Sequence, residues 1–179
     1  FDNLEFSRIF MAWFIPNLND QKNIIGLEIL ASILSVGRNS RLVKILKEDS
    51  NLVESVYVDV NAGELGGLFI IEASCESKDI DLVEKQINKT IDEISNCKAL
   101  ALDEIKKAIN IVKSNYIFNL ETSTQLSSFF GNELLWGRKS SINNLESHLK
   151  YWNDLDNFKE ITEYIRGEKF TLVASPGKC

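Results

Sequence analysis

Residues 37–54 read GRNSRLVKILKEDSNLVE, and no other stretch of the chain says as much about its fold. Gly37 follows an apolar pattern with helical spacing and is expected to end that helix, because glycine readily adopts the left-handed conformation found at helix ends. Ser40 or Asn39 can then cap a second, short helix with Leu42 on its apolar side. Strand-forming residues follow at once. The segment therefore predicts a helix, a tight turn, a short helix and a strand in close succession.

A strand and a helix are expected upstream of this segment. Residues 6–15 are rich in aromatic and β-branched side chains and end at Pro16, which predicts a strand. Nearly all of these side chains are large, so both faces of the strand are expected to be covered. From a cap at Asp20, apolar residues recur with helical spacing as far as Leu34.

The downstream pattern predicts a β-hairpin, a series of helices and a last strand. The hairpin strands take residues 52–62 and 68–73, joined by the glycine-rich turn 63–67. A helix from 102 to 116 is expected to extend toward Trp136, with a break near 122–124, and to stop at Gly137. The remaining elements are helices over 80–94, 142–152 and 157–165 and a strand over 168–174.

This order of elements indicates the fold class. The strands do not alternate regularly with crossover helices, which disfavours a doubly wound sheet. We expect an α+β fold, with a mostly antiparallel sheet and helices packed on one of its faces. Residues 1–179 are expected to form a single domain, and the lack of an initiator methionine suggests an excerpt from a longer protein.

Composition excludes several classes of partner. The formal net charge is −6, with 26 acidic and 20 basic residues, whereas binding to nucleic acid requires clustered lysine and arginine. The acidic charge also disfavours an anionic membrane surface, and no apolar run approaches the roughly 20 residues of a membrane helix, so no membrane partner is expected. The sequence leaves the compartment unknown: a soluble protein of the cytoplasm, the periplasm or an organelle fits equally.

The side chains that carry most hydrolytic chemistry are scarce. His148 is the only histidine, so the chain has no two-histidine zinc site, and a serine or cysteine nucleophile would depend on this same residue. Its polar helical context is typical of a solvated side chain. Cys75 falls in a predicted strand and is expected to be a buried, reduced thiol. The residues therefore predict no catalytic group and no metal ligand within this chain.

The opening segment nevertheless resembles part of a known family. Ser40-Arg41-Leu42, with Leu46 and Leu52 at later leucine positions, is similar to the pattern S-R-L-x-x-x-L-R-x-x-x-G-L-x-Y. That pattern occurs in the zinc-free half-domain of the pitrilysin/insulinase zinc metallopeptidases, which include the mitochondrial processing peptidases. Residues 6–16 resemble the opening strand of that half-domain, and residues 117–122 (IFNLET) resemble its I-F-x-L-E-T segment. The resemblance covers essentially the whole chain.

The resemblance implies a C-terminal, zinc-free half that closes with a zinc-bearing half around a peptide substrate. The zinc-bearing half, on the same chain or on a second subunit, would carry H-x-x-E-H and a distal glutamate that bind zinc and activate water. The zinc-free half supplies an arginine and a tyrosine that hold substrate carbonyls and stabilise the oxyanion. This domain alone is expected to be inactive and to hold no cofactor, within a parent protein or complex that is a zinc metalloendopeptidase.

The sequence departs from the family pattern where that chemistry lies. Lys47 takes the arginine position, Glu54 the tyrosine position and Asn51 the preceding glycine position. Lysine keeps the charge but lacks the planar fork of arginine, and an ionised glutamate accepts hydrogen bonds where the tyrosine would donate one. Loss of one oxyanion donor typically costs roughly a hundred- to a thousandfold in rate. Arg41, Lys47 and Glu54 remain candidates for substrate contact; the alternative is that Lys47 and Glu54 are exposed and pair with each other.

Three functions therefore stay open from the sequence. The leading hypothesis is the substrate-enclosing, zinc-free half of a peptidase. The second is a non-catalytic scaffold that resembles the core proteins of respiratory complexes, and it is motivated by the two replaced side chains. The third is an unrelated α+β binding module. An intact H-x-x-E-H upstream of this chain would distinguish the first hypothesis from the second.

Overall fold

Four strands form one antiparallel sheet. The computed structural model describes residues 4–95, 100–135 and 142–177. The strands lie side by side in the order β2-β3-β1-β4, and each neighbouring pair is antiparallel. Their bounds are β1 Ser7–Ile15, β2 Ser55–Ala62, β3 Gly67–Cys75 and β4 Lys169–Ala174. The prediction of an α+β fold with an antiparallel sheet is confirmed.

Helices lie between β1 and β2 and between β3 and β4, and they follow the predicted order. The α-helices are α1 Gln21–Ser35, α2 Ile80–Ser95, α3 Leu102–Phe118, α4 Ser123–Leu135, α5 Ile142–Trp152 and α6 Leu155–Thr162. Short 3-10 turns precede α2 and follow α6, at Ser77–Asp79 and Glu163–Ile165. A π-helix at Val43–Asp49 takes the place of the short α-helix expected there. The helix stop predicted at Gly137 lies outside the described residues.

The core lies between the helices and the inner face of the sheet. Side chains of a strand alternate between its two faces, and the helix-facing set of β1 and β3 is buried. That set consists of Ile9, Met11, Trp13, Phe69, Ile71 and Ala73. Its burial confirms that the helices cover one face of the sheet.

Helix α1 lies at the centre of the helix layer. It begins as predicted at Asp20, whose carboxylate accepts a hydrogen bond from the Asn23 N–H at 3.4 Å. A Cβ atom on Gly26 would lie 2.6 Å from Ile161 Cγ1 and 2.8 Å from Trp152 Cε2. The absence of a side chain at Gly26 thus allows α5 and α6 to pack directly on the backbone of α1.

The predicted break between α3 and α4 is confirmed and has a local cause. The Thr122 hydroxyl accepts from the Gln125 N–H at 3.2 Å, and the Gln125 side chain accepts from the Thr122 N–H at 3.2 Å. This reciprocal capping fixes the start of α4. Several apolar side chains at the end of α3 and along α4 are exposed, and we call them the α4 patch: Ile117, Phe118, Phe130, Leu134 and Leu135.

The described helices leave the second face of the sheet open. Phe14 is 84% exposed, and Phe170 and Leu172 of β4 are 68% and 51% exposed. Phe10 pairs with Leu172 across β1 and β4, and Phe14 pairs with Leu68 across β1 and β3. These five residues form what we call the open sheet face. The expectation that both faces of β1 are covered is therefore wrong for the described part of the chain, because the helices there form a single layer.

Candidate functional site

The turn after α1 begins the candidate segment, by which we mean residues 37–54. Gly37 has a φ of +90°, a conformation that favours glycine. The N–H and the hydroxyl of Ser40 both donate to the Gly37 carbonyl oxygen, at 3.0 Å and 2.6 Å. The expectation that a Ser40 side chain caps the next helix is wrong, because its hydroxyl points back to the preceding turn. The Ser40 carbonyl instead accepts from the Lys44 N–H at 2.8 Å.

The π-helix that follows is closed by bonds to its widened last turn. The Ser50 hydroxyl donates to the Ile45 carbonyl oxygen at 2.5 Å, and the Leu52 N–H donates to the Leu46 carbonyl oxygen at 2.8 Å. Between them, Asn51 adopts a φ of +50°. This is the position where the family pattern has glycine, and asparagine tolerates the left-handed conformation better than most residues. The sequence departure at Asn51 therefore preserves the backbone course.

Arg41 is bound to α3 inside the fold. Its Nε and Nη2 atoms donate to the two carboxylate oxygens of Glu104 at 3.0 Å and 2.7 Å. The Arg41 side chain is only 15% exposed. Glu104 also accepts from the Ala101 N–H at 3.0 Å. Desolvation opposes ionisation of Glu104, but these bonds from Arg41 and Ala101 hold its pKa below the usual value. The arrangement joins the turn to the first turn of α3.

Lys47 and Glu54 meet at the start of β2, but not as an ion pair. Lys47 Nζ donates to the main-chain carbonyl oxygen of Glu54 at 2.5 Å. The Glu54 N–H donates to the Ser74 carbonyl oxygen at 2.8 Å and fixes this residue against β3. Both side chains are exposed. The structure therefore brings Lys47 and Glu54 together and places Arg41 against α3; whether any of the three contacts a substrate stays a prediction.

A second group of polar residues was not anticipated from the sequence. Glu28 of α1 lies in a cleft of about 400 Å³ between α1, α3, α4 and β2. Burial raises the pKa of Glu28 from the usual 4.5 to about 7, against the opposing effect of the hydrogen bond from the Tyr116 hydroxyl at 3.5 Å. Ser32, one turn later, also lines the cleft. One feature of the sequence could have pointed to this cleft: Glu28 is the single acid inside the apolar run IIGLEIL. Charged residues are rarely buried without a partner, so an acid in such a run indicates a special environment.

Cys75 and His148, which the sequence singled out, do not line the cleft at Glu28. Cys75 is buried in β3, as predicted, and burial raises the pKa of its thiol, as does the charge of Asp79. His148 is half-buried, and burial lowers its pKa, together with the charge of Lys22. Within the described ranges, no three or more His, Cys, Asp or Glu side chains are grouped to hold a metal ion. No helix in those ranges has the length and apolar character to span a bilayer.

Comparison with known proteins gives a consistent result. Residues 2–112 match the family model described as the peptidase M16 inactive domain. The chain is 28% identical over 118 residues to an uncharacterized zinc protease of Streptomyces coelicolor. It is 26% identical over 142 residues to subunit alpha-2 of the mitochondrial-processing peptidase of Dictyostelium discoideum. Its fold is similar to that of a protease from Helicobacter pylori, with a TM-score of 0.83 at 17% identity.

These matches cover most of this chain but only part of each relative. The first two alignments cover 65% and 74% of this chain but only 26% and 31% of the relatives. The structural match covers 98% of this chain and 42% of the Helicobacter pylori protein. This chain thus spans about a quarter to a third of the length of the curated relatives that it matches.

Proposed function

Because this chain belongs to the peptidase M16 family, in which it corresponds to the inactive domain, we propose that it is the zinc-free half of a zinc metallopeptidase. In this proposal it encloses a peptide substrate together with a zinc-bearing half. Zinc and the activated water belong to that other half, on the same chain or on a second subunit. The match of residues 2–112 carries the proposal.

The open sheet face supports the need for a large partner. A sheet in a stable domain has each apolar face packed against another layer, and the described residues supply a layer for one face only. Phe14 and Phe170 are largely exposed, and with Phe10, Leu68 and Leu172 they bring five large apolar side chains to this face. The α4 patch adds further apolar surface. We propose that the zinc-bearing half covers the open sheet face.

The candidate segment supports a role in binding more than in catalysis. The Lys47 ammonium is exposed and donates a hydrogen bond to the main-chain carbonyl oxygen of Glu54. The same donor could instead bond to a carbonyl oxygen of a substrate peptide. Glu54 presents an exposed carboxylate, which repels an oxyanion. Arg41 is engaged by Glu104 and serves to position the segment. We therefore propose that Lys47 contacts substrate and that Arg41 holds the segment in place.

The test is hydrolysis of a fluorogenic peptide by the assembled protein and by this chain alone. We expect activity only when the zinc-bearing half is present, with loss of activity on chelation and recovery on addition of zinc. Chelator-sensitive hydrolysis by residues 1–179 alone would contradict the proposal. A control variant of the zinc-bearing half, with its catalytic glutamate replaced by glutamine, separates genuine hydrolysis from a contaminating peptidase.

A scaffold without peptidase activity is the second candidate, and Glu54 is the observation that favours it. A carboxylate at the position of the oxyanion donor costs rate in a peptidase but has no consequence in a scaffold. In the same experiment, a scaffold gives a stable assembly that binds no zinc and hydrolyses no peptide. A zinc-loaded, active assembly excludes it.

A further inference from the structure

The cleft at Glu28 lies where several elements of the fold meet. Its walls come from four elements, α1, β2, α3 and the aromatic ring of Phe129 on α4. Its volume of about 400 Å³ falls within the range of roughly 300–1,000 Å³ that is typical of small-ligand sites. Apolar side chains such as Val58 and Val112 and polar ones such as Glu28 and Ser32 contribute about equally to its lining.

Two of those polar groups have unused hydrogen-bonding capacity. Among the described residues, only the Tyr116 hydroxyl bonds to the Glu28 carboxyl group, at one oxygen and at 3.5 Å. The Ser32 side chain is 95% buried, because its exposed fraction is 5%, and its hydroxyl has no hydrogen-bond partner in the described part of the chain. A buried polar group without a partner costs free energy, so each such group calls for an explanation. Both residues lie on one face of α1, four positions apart.

The charges around the cleft decide which ligand fits. None of the described residues that line it carries a positive charge. Glu133 of α4 lines an adjoining cavity that shares Tyr116 and Phe129 with the cleft. Asp59 of β2 lies at the cleft as well, although the alternation of the strand directs its side chain toward the open sheet face. An anion would find hydroxyl and amide donors but no positive charge, whereas a cation with several N–H donors would find acceptor oxygens and a carboxyl group that can ionise beside it.

We propose that this cleft binds a guanidinium or ammonium group, which bonds to the carboxylate of Glu28 and the hydroxyl of Ser32. The side-chain amides of Asn115 and Asn119, which also line the cleft, offer further acceptor oxygens. The group comes either from a basic side chain of a peptide or from a free small molecule. This site is separate from the segment with Lys47 and Glu54, and its test does not require the zinc-bearing half.

Binding of a cation has a distinctive consequence for protons. Burial keeps Glu28 protonated up to about pH 7 in the empty cleft. A cation beside it favours the ionised form, so binding at pH 6 releases up to about one proton per cation. The affinity therefore rises with pH up to about 7 and is constant above that. A cation held by permanently ionised surface carboxylates gives neither effect.

The experiment is a titration followed by two-dimensional NMR and by calorimetry in two buffers of different ionisation enthalpy. The probes are ethylguanidinium and the capped peptide Ala-Val-Arg-Val-Ala, with citrulline in place of arginine as the uncharged control. We expect shifts at residues 28–32 and 58–60 with both cations, and no shifts with the citrulline peptide. Tighter binding of the peptide identifies a peptide side chain as the source, and equal binding identifies a free small cation.

Variants decide whether the cleft is responsible. Glu28→Gln keeps the shape and the bond to Tyr116 but removes the charge, and we expect it to weaken binding by roughly ten- to a hundredfold and to abolish proton release. Ser32→Ala is expected to weaken binding while leaving the empty protein folded and at least as stable. Glu93→Gln, which removes an exposed carboxylate of α2, is the matched control and leaves binding unchanged. Absence of shifts with both cations, or undiminished binding by Glu28→Gln, overturns the proposal.

Discussion

Arg41 and Glu104 meet through two parallel hydrogen bonds, 3.0 Å and 2.7 Å long, between the turn that follows α1 and the first turn of α3. Parallel bonds of this kind fix the orientation of both side chains and are stronger than single contacts between charges. The arginine of the S-R-L motif therefore has a structural partner 63 residues away. The motif thus contributes a contact between two segments that are distant in sequence.

The first prediction concerns this ion pair. Arg41→Ala or Glu104→Ala is expected to lower the free energy of unfolding by about 1–2 kcal/mol, since Arg41 is largely buried while Glu104 is still 34% exposed. The pKa of Glu104 is lowered in the folded state, so the contribution is present above about pH 4.5 and is lost as the pH falls below that. Urea unfolding of the two single variants and the double variant gives the coupling energy. The exposed pair of Arg38 and Glu48 is the control, and no measurable coupling is expected for it.

The second prediction concerns the pH dependence of stability. The pKa of Glu28 is raised to about 7 in the folded protein, so the folded state binds a proton more tightly than the unfolded state does. Stability from this residue is complete below about pH 4.5 and is lost as the pH rises through 7. Glu28→Gln is therefore expected to stabilise the protein at pH 8 by about 2 kcal/mol and to have little effect at pH 4.5. Thermal unfolding at the two pH values is the measurement, and equal effects at both would falsify the assignment.

The third prediction tests the packing at Gly26. Gly26→Ala is expected to destabilise the protein by about 1–3 kcal/mol, because the added methyl group overlaps the side chains of Ile161 and Trp152. Gly131→Ala in α4 is the matched control, since nothing lies within 4 Å of the Cβ position there. The control is expected to gain about 0.5–1 kcal/mol from helix propensity. Chemical denaturation measures the change in the free energy of unfolding for each variant. Changes of the same sign for both variants would rule out the close contact at Gly26.

The fourth prediction uses the left-handed residue of the candidate segment. Asn51→Gly is expected to leave stability nearly unchanged, whereas Asn51→Val is expected to cost about 1–2 kcal/mol, because a β-branched residue is strained at a φ of +50°. Denaturant midpoints of the two variants supply the comparison. A valine variant as stable as the glycine variant would mean that the π-helix ends in a different conformation.

The fifth prediction tests the open sheet face as the contact with the zinc-bearing half. Phe14→Glu is expected to weaken the assembly by at least tenfold, while the isolated chain keeps its melting temperature, because this side chain is already 84% exposed. Leu65→Glu introduces the same charge at the tip of the β2–β3 hairpin, where the side chain is 97% exposed, and serves as the control. Analytical ultracentrifugation of the two variants with the zinc-bearing half measures the difference. An assembly that tolerates Phe14→Glu would place the contact elsewhere.

The sequence was informative where periodicity and local capping decide the structure. The cap at Asp20, the hairpin and the break before α4 follow from interactions within a few residues, and each was predicted close to its observed position. The fold class followed from the order of these elements. The large residues of β1 led to the wrong expectation that both of its faces are covered. The pattern shows which side chains are apolar but not whether the same chain supplies a layer to cover them.

The details of the candidate site were less accessible. The pairing of Arg41 with Glu104 depends on how α3 packs beside the turn, which no local pattern encodes. The bond from Lys47 to a main-chain oxygen of Glu54, where an ion pair was the alternative, depends on a π-helix that widens the last turn. The cleft at Glu28 also depends on packing between elements that are distant in sequence. Glu28 of α1 and Tyr116 of α3, which bond to each other there, are 88 positions apart.

The open sheet face also affects how long this protein persists in the cell when no partner covers that face. Chaperones and proteases recognise contiguous apolar surface, and exposed Phe14 and Phe170 resemble the surface that a partly folded chain presents. If the zinc-bearing half is a second subunit, as one form of the proposal has it, we expect the free domain to be short-lived in the cell and prone to self-association at high concentration. The amount of that subunit would then govern how much of this domain accumulates.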